Sequence, residues 1–252
     1  MYGGELIHQT SDNYGTIEVI DYQSVMRSMH FGNKTQQSAS LLCNPFFLLH
    51  KYAQAMLLPL CWHRPSRVLV LGLGSGSIVK YLYNYFQDIK IDAVELRQKV
   101  IDIASQYFCL PDQDDRLTIY TDSVYDWLNK HDINEKYDLI LVDVFLTSKS
   151  GKDITVDVSG QIDKISELLT DKGVIVFNQL GSDYHLYPGF DAIFKKFEHH
   201  LYSIDIKSIN SILIATKDNI PDKIEDSVFE ELQSKYSLPC REYFDDLRSI
   251  SR

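Results

Sequence analysis

The sequence predicts an α/β protein with a Rossmann-like, doubly wound sheet, mostly parallel, closed by a C-terminal antiparallel hairpin and preceded by a small N-terminal β region. Three observations lead there. Arg67-Val68-Leu69-Val70-Leu71 reads as a strand apolar on both faces, and it runs into Gly72-Leu73-Gly74-Ser75-Gly76 before a helix-compatible segment. Downstream, short β-branched runs alternate with helical periodicity, the pattern of parallel strands joined by crossover helices. Near the end, Leu201 to Ile206 and Ser211 to Thr216 are separated by Lys207-Ser208-Ile209-Asn210 alone. That spacer is too short for a crossover helix, so these strands must pair antiparallel.

The elements follow in order. From Glu5 to Phe31 the chain alternates in short β-rich pieces, Tyr14 to Ile20 the clearest, with Ser11-Asp12-Asn13 as a turn. Residues 1–44 are therefore expected to form a β-hairpin region and residues 45–252 the Rossmann-like domain. Pro45 to Leu60 is expected to be one apolar helix, with Pro45 in its first turn and Phe46, Leu49, Ala53, Met56 and Leu60 near helical spacing. Then come strand Val68 to Leu71, a helix to Phe86, strand Ile89 to Glu95, a helix to Phe108, strand Leu117 to Tyr120, a short helix Val124 to Leu128 and strand Tyr137 to Asp143. Helix Ile162 to Leu169, strand Gly173 to Asn178 and helix Phe190 to His199 precede the hairpin, and the tail from Pro221 to Arg252 reads as polar helix on the outside.

Composition limits the function. With 252 residues the chain can bury a full core without staples, and its four cysteines lack C-x-x-C spacing, which opposes a disulfide framework or a metal knuckle. His131, His185, His199 and His200 lack a recognisable ligand spacing, so no metal is expected. The N-terminus shows no signal-peptide pattern and no apolar run reaches membrane-span length, so a cytoplasmic protein without a membrane partner is expected. A net charge of −10 opposes binding to nucleic acid and favours cationic small molecules.

The glycine loop indicates a nucleoside ligand, because glycines let backbone approach where side chains would not. Three strand-end acids refine this. Glu95 ends the second strand about 20 positions past the loop, where a carboxylate can accept both hydrogen bonds of a ribose diol; otherwise it is a solvated strand-end glutamate. Asp122 ends the third strand and can accept from an adenine amino group or cap the next helix, roles that can coexist. Asp143 ends the fourth at the same edge. A diphosphate wants donors rather than acids, whereas a sulfonium nucleoside is cationic, so S-adenosylmethionine or its decarboxylated form is preferred to NAD.

At these residues the sequence resembles the spermidine synthase, or polyamine aminopropyltransferase, family of the class I methyltransferase superfamily. The likeness runs from about Tyr14 to Leu180 through Tyr14-Gly15-Thr16-Ile17, Phe31-Gly32, Gln36-Gln37-Ser38, Pro59-Leu60, His63-Arg64-Pro65 and the glycine loop. It continues through Val94-Glu95, Val100-Ile101, Tyr107-Phe108, Asp115-Arg116-Leu117, Thr121-Asp122 and Leu141-Val142-Asp143. The resemblance implies that Gly72, Gly74 and Gly76 line the thioadenosine, that Glu95 binds ribose and that Asp122 meets adenine, with Leu73, Ser75, Leu96, Ser123 and Asp143 also in the cofactor site. Gln36 or Gln37 would be the glutamine near the cofactor, and Asp143 the first acid of the catalytic loop. It also implies decarboxylated S-adenosylmethionine as co-substrate, a polyamine-like cationic acceptor and a homodimer.

Two departures stand out. Ser75 occupies the place where the family has an aspartate for the aminopropyl amine, and Leu146 the place of a second acid that accepts the attacking amine's proton. The family's acceptor-binding cluster is also replaced, by Lys51-Tyr52-Ala53-Gln54-Ala55-Met56. An amine of pKa near 10 must lose a proton at a cost of roughly 4 kcal/mol at pH 7, and Asp143, Asp153 or Asp157 could take it. Three functions stay open: aminopropyl transfer, methyl transfer from S-adenosylmethionine, and noncatalytic nucleoside binding.

Overall fold

The computed structural model describes residues 1–130, 136–147, 153–207 and 209–251. The chain opens with β1 (Glu5–Asp12), β2 (Gly15–Tyr22), β3 (Met26–His30) and β4 (Ser38–Leu41), which form an antiparallel meander in chain order. A short α1 (Lys51–Met56) and a 3-10 turn at Leu58–Cys61 lead into the main sheet. There β5 (Arg67–Leu71), β6 (Lys90–Glu95), β7 (Leu117–Thr121) and β8 (Tyr137–Val142) alternate with α2 (Ser77–Tyr85), α3 (Gln98–Phe108) and α4 (Val124–Lys130). A small hairpin of β9 (Phe145–Thr147) and β10 (Asp153–Thr155) follows. Next come α5 (Ile162–Glu167), β11 (Leu169–Leu180), α6 (Phe190–Phe197), β12 (Leu201–Ile206) and β13 (Asn210–Thr216), and the chain ends in α7 (Asp226–Tyr236), α8 (Cys240–Asp245) and β14 (Arg248–Ser249).

The main sheet has the order β14-β12-β13-β11-β8-β5-β6-β7. Strands from β11 to β7 are parallel, and β13, β12 and β14 join antiparallel, the β12–β13 pair as its short spacer requires. Alternation along each strand divides the core. Val68, Val70, Leu139, Leu141, Val174 and Val176 face α1, α2, α7 and α8, whereas Leu69, Leu71, Ile140, Val142, Ile175 and Phe177 face α4, α5 and α6. Each such side chain contributes roughly 1.5 to 3 kcal/mol on burial, which is why these strands read as continuous apolar runs.

The N-terminal sheet is docked onto α3 through Ile17, Val19 and Met29 against Val100, Ile103 and Phe108. Polar bonds fix the angle of that docking. Arg97 pairs with Asp12 at 2.9 Å and donates to the Gly15 carbonyl, while the buried Lys80 donates to Ser40 Oγ at 2.6 Å and the Phe108 carbonyl at 2.8 Å. Burial without a carboxylate partner pulls the Lys80 ammonium down to about 8.

Two expected elements differ. The helix expected over Pro45 to Leu60 shrinks to Lys51–Met56, because Asn44 to Phe47 forms a turn and Pro59, lacking an N–H and crowding the preceding turn, forces a 3-10 end. The tail is no polar appendage: Phe229, Leu232, Tyr236, Leu238, Cys240 and Tyr243 are buried in the core and β14 extends the sheet on β12. His131, Ser208 and the first five residues of the loop from Ser148 to Ser159 lie outside the described residues.

Candidate active site

The chain passes from β5 to β6 and β7 on one side and then crosses to β8 on the other, so the crevice at the carboxyl ends of β5 and β8 is a topological switch point. Register aligns the edge: Leu71 pairs with Val94 and Val142, Gly72 N donates to Val94 O, and Asp143 N donates to Leu71 O. A cavity of about 410 Å³ opens there, between this edge, the N-terminal sheet and the β9–β10 hairpin. It is the size of a small-molecule site.

Of the residues expected at the site, Gln37, Gly72, Leu73, Gly74, Glu95, Leu96, Ser123 and Asp143 line this cavity. Gln36, Ser75, Gly76 and Asp122 are not among the lining residues. Ser75 is fully buried, its Oγ 3.1 Å from Ser77 Oγ and its N–H bonded to Ser38 Oγ. Asp122 accepts from Ser123 N at 2.8 Å and from Lys130 Nζ at 2.7 Å, so its carboxylate serves the start of α4.

The glycines answer to the protein as much as to a ligand. Gly72 has φ +92°, and a Cβ there would be driven into the carbonyl of Asp143. Gly76 has φ +74° before α2, and its Cβ would stand 2.5 Å from Leu110 Cδ1. Both positions therefore need glycine for chain geometry and for close packing.

Glu95 is buried and accepts from Leu73 N at 3.1 Å through one oxygen and from Arg97 N at 2.9 Å through the other. Burial raises its pKa, and the amide bonds from Arg97, Leu73 and Gly74 act against that rise. Three amides leave one of the carboxylate's four lone-pair sites for a ligand hydroxyl. Gln37 Nε2 is buried, and Gln37 lines the cavity; among the described residues this donor has no hydrogen-bond partner and calls for a ligand acceptor. These groups fit a nucleoside.

Asp143 is the acid on the opposite wall. Burial pushes it up to about 6, and Asn178 Nδ2 opposes the rise by donating to its Oδ1 at 2.8 Å. Asn178 is oriented in turn by Asn210 Nδ2 at 2.9 Å. The antiparallel register that sets Leu180 against Asn210 and Asn178 against Ile212 brings this pair together. The sequence places Asn178 at the end of the strand from Gly173, and the structure gives it the bond to Asp143.

Leu146 and Tyr52, singled out as departures from the family, line the cavity, whereas sequence reasoning missed Tyr14 and Phe31 from the N-terminal sheet, Tyr125, and Val144, Phe145 and Thr147 on and before β9. Burial, with Asp143 nearby, raises the Tyr52 pKa. A usable signal was the aromatic and aliphatic run directly after a strand-end acid. Among the described residues no group of His, Cys, Asp and Glu could hold a metal ion, and no helix is long and apolar enough to cross a membrane.

Known proteins share this plan. A polyamine aminopropyltransferase of Chromobacterium violaceum is 25% identical over 92% of this chain and 90% of its own length. A human eEF1A lysine and N-terminal methyltransferase is 28% identical over 52% of this chain and 20% of its own. Among solved structures, a probable spermidine synthase from Corynebacterium glutamicum superposes with a TM-score of 0.71 at 17% identity, covering 99% of this chain and 96% of that one. At that identity the likeness shows the fold. The spermine/spermidine synthase domain model matches residues 50–187, more than half of the chain and the whole span from α1 through β5 to Asp143 and beyond, so the chain belongs to that family.

Proposed function

We propose that the chain is an aminopropyltransferase that uses decarboxylated S-adenosylmethionine as donor and a small cationic amine of polyamine type as acceptor. The observation that carries this reading is the charge of the cavity wall. It offers the carboxylates of Glu95 and Asp143, while Arg97, the single basic side chain among the described lining residues, is committed to Asp12 and the Gly15 carbonyl. A donor arm ending in an ammonium meets acids here; one that also carries a carboxylate meets no free cation. The family and the curated aminopropyltransferase relatives support the same reading.

Glu95 would hold a ribose hydroxyl and Gln37 Nε2 would donate to the nucleoside, with Gly72, Leu73, Gly74, Leu96 and Ser123 around it. The donor supplies an electrophilic methylene beside its sulfonium. Asp143 takes the proton of the attacking amine as the new C–N bond forms and the C–S bond breaks, the electron pair staying on sulfur. A carboxylate near 6 is about nine-tenths ionised at pH 7 and a stronger base than an exposed aspartate. Asn178 and Asn210 keep it in one orientation.

A methyl-transfer reading is favoured by one feature, the lack of an acid at Ser75. Calorimetric titration with decarboxylated S-adenosylmethionine, S-adenosylmethionine and methylthioadenosine separates the two. The decarboxylated donor is expected to bind at least about 10-fold more tightly than S-adenosylmethionine, the worth of one charge-assisted contact. Tighter binding of S-adenosylmethionine would favour methyl transfer, and no binding of any of the three would reject a nucleoside site.

A further inference from the structure

The antiparallel end of the main sheet carries a second crevice, which shares no lining residue with the cavity at β5 and β8. It measures about 390 Å³ and lies between β12, β13, the turn at Tyr184–Leu186 and the segment that leads from α8 into β14. Strand alternation builds it. Leu201, Leu213 and Ala215 face the core under α5 and α6, and on the same face Ser203, Asp205 and Ser211 follow toward the β12–β13 turn. Arg248 opposes Ser203 from β14, and Ile250, two residues on, is buried in that same core, so Arg248 belongs to this face as well. The apolar layer therefore ends in a floor of hydroxyls and a rim of charge.

Two features of the crevice call for a ligand. Ser203 and Ser211 line it and are 8% and 1% exposed, yet among the described residues neither hydroxyl has a hydrogen-bond partner. Buried hydroxyls rarely go unpaired. The second feature is opposite charges kept apart. Arg248 gives its Nη1 to the carbonyls of Asp245 and Leu247, at 2.7 and 2.9 Å, which fixes the guanidinium at the end of α8. Among the described residues it forms no ion pair with Asp246 or Asp205, although all three line the crevice. The row of Ser203 and Arg248 and the row of Asp205 lie two residues apart along β12, about 7 Å. A bare cation would be opposed by Arg248 and a bare anion by the two carboxylates, whereas a ligand with one charge of each sign satisfies both sides of the rim.

We propose that this crevice binds a small zwitterion of the ω-amino acid class, its carboxylate on Arg248, its ammonium between Asp246 and Asp205, and its polar ends bonded to the hydroxyls of Ser203 and Ser211. The inference does not depend on aminopropyl transfer, since none of these residues belongs to the cavity of Glu95 and Asp143.

Three probes of one chain length test each charge separately. In the isotopically labelled full chain, 4-aminobutyrate is expected to shift the backbone amide resonances of Ser203, Ser211 and Arg248 saturably and to leave those of Leu73 and Gly74 in place. Butylamine and butyrate each lack one charge and should bind there about 5-fold or more weakly, the worth of one partly exposed ion pair. Arg248→Gln should weaken 4-aminobutyrate to the level of butylamine while butylamine stays within about 2-fold of its parent value. Asp246→Asn should weaken 4-aminobutyrate a few-fold and spare butyrate. Both side chains are exposed, so both variants are expected to fold. Equal binding of the three probes, shifts confined to Leu73 and Gly74, no saturable shift at Ser203, Ser211 and Arg248, or undiminished binding of 4-aminobutyrate by R248Q would overturn the inference.

Discussion

The wall proposed for the donor is made from the turns that end β5 and β6, whereas the wall proposed for the acceptor is made from the segment leaving β8, β9 and α1. The donor wall is held by backbone: Glu95 is pinned by main-chain amides and Gly72 by the need to pass the Asp143 carbonyl. The acceptor wall is held by side chains, Asn210 to Asn178 to Asp143 and Thr147 with Asn33 to Asp153. Backbone-held geometry demands particular residue types at fixed spacing, so it leaves a motif in the sequence. Side-chain networks across strands far apart in the chain leave none.

The comparison can be broken where the walls meet. Gly72→Ala puts a Cβ into the Asp143 carbonyl at φ +92°, and a loss on the order of 3 kcal/mol or more is expected, seen as a large fall in Tm with loss of donor binding. A near-native Tm would show that the strand ends can part, and that the walls are not rigidly joined.

Asp143→Asn is expected to lower kcat about 10²- to 10⁴-fold while methylthioadenosine binds as before. The pH profile gives a sharper test. Activity should rise with pH through about 6 as Asp143 ionises, and this acid limb should vanish in the variant. Stability should move the opposite way. Because burial raises the folded pKa above the unfolded value, the native state holds the extra proton between about 4 and 6, so stability contributed by this group falls as pH rises through that window. Denaturant melts of the parent and D143N across it should converge toward high pH if the sign is wrong and diverge in favour of the variant if it is right.

Glu95→Ala is expected to weaken donor binding about 10-fold or more with the acceptor KM little changed, which isothermal titration checks. Ser75→Ala should do least: among the described residues its hydroxyl bonds to Ser77, so about 1 kcal/mol of stability and under about 3-fold in donor affinity are expected. A larger affinity loss would put Ser75 on the ligand and extend the donor wall by one residue.

The sheet was readable because a strand buried on both faces must be apolar throughout, and Val68 to Leu71 and Leu139 to Val142 are. The antiparallel end was readable from a short spacer. The helix from Pro45 was overdrawn because apolar spacing was weighed above Pro59, which cannot sit inside a helix. The tail was misjudged for the converse reason: Phe229, Leu232 and Tyr236 recur at helical spacing within a polar composition, and the spacing governs the packing. At the site, Glu95 and Asp143 were visible as strand-end acids. The turn of Asp122 toward Lys130 was not, since an eight-residue separation carries no signal until α4 brings the two together. The β9–β10 hairpin escaped because strands of three residues have no readable period.

The most direct measurement is product analysis by mass spectrometry after the purified chain is incubated with 1,4-diaminobutane and, separately, decarboxylated S-adenosylmethionine or S-adenosylmethionine. Methylthioadenosine and an amine heavier by one aminopropyl group are expected from the decarboxylated donor, with neither donor yielding a methylated amine. S-adenosylhomocysteine with a methylated product, or no turnover of either donor, would contradict aminopropyl transfer at Asp143.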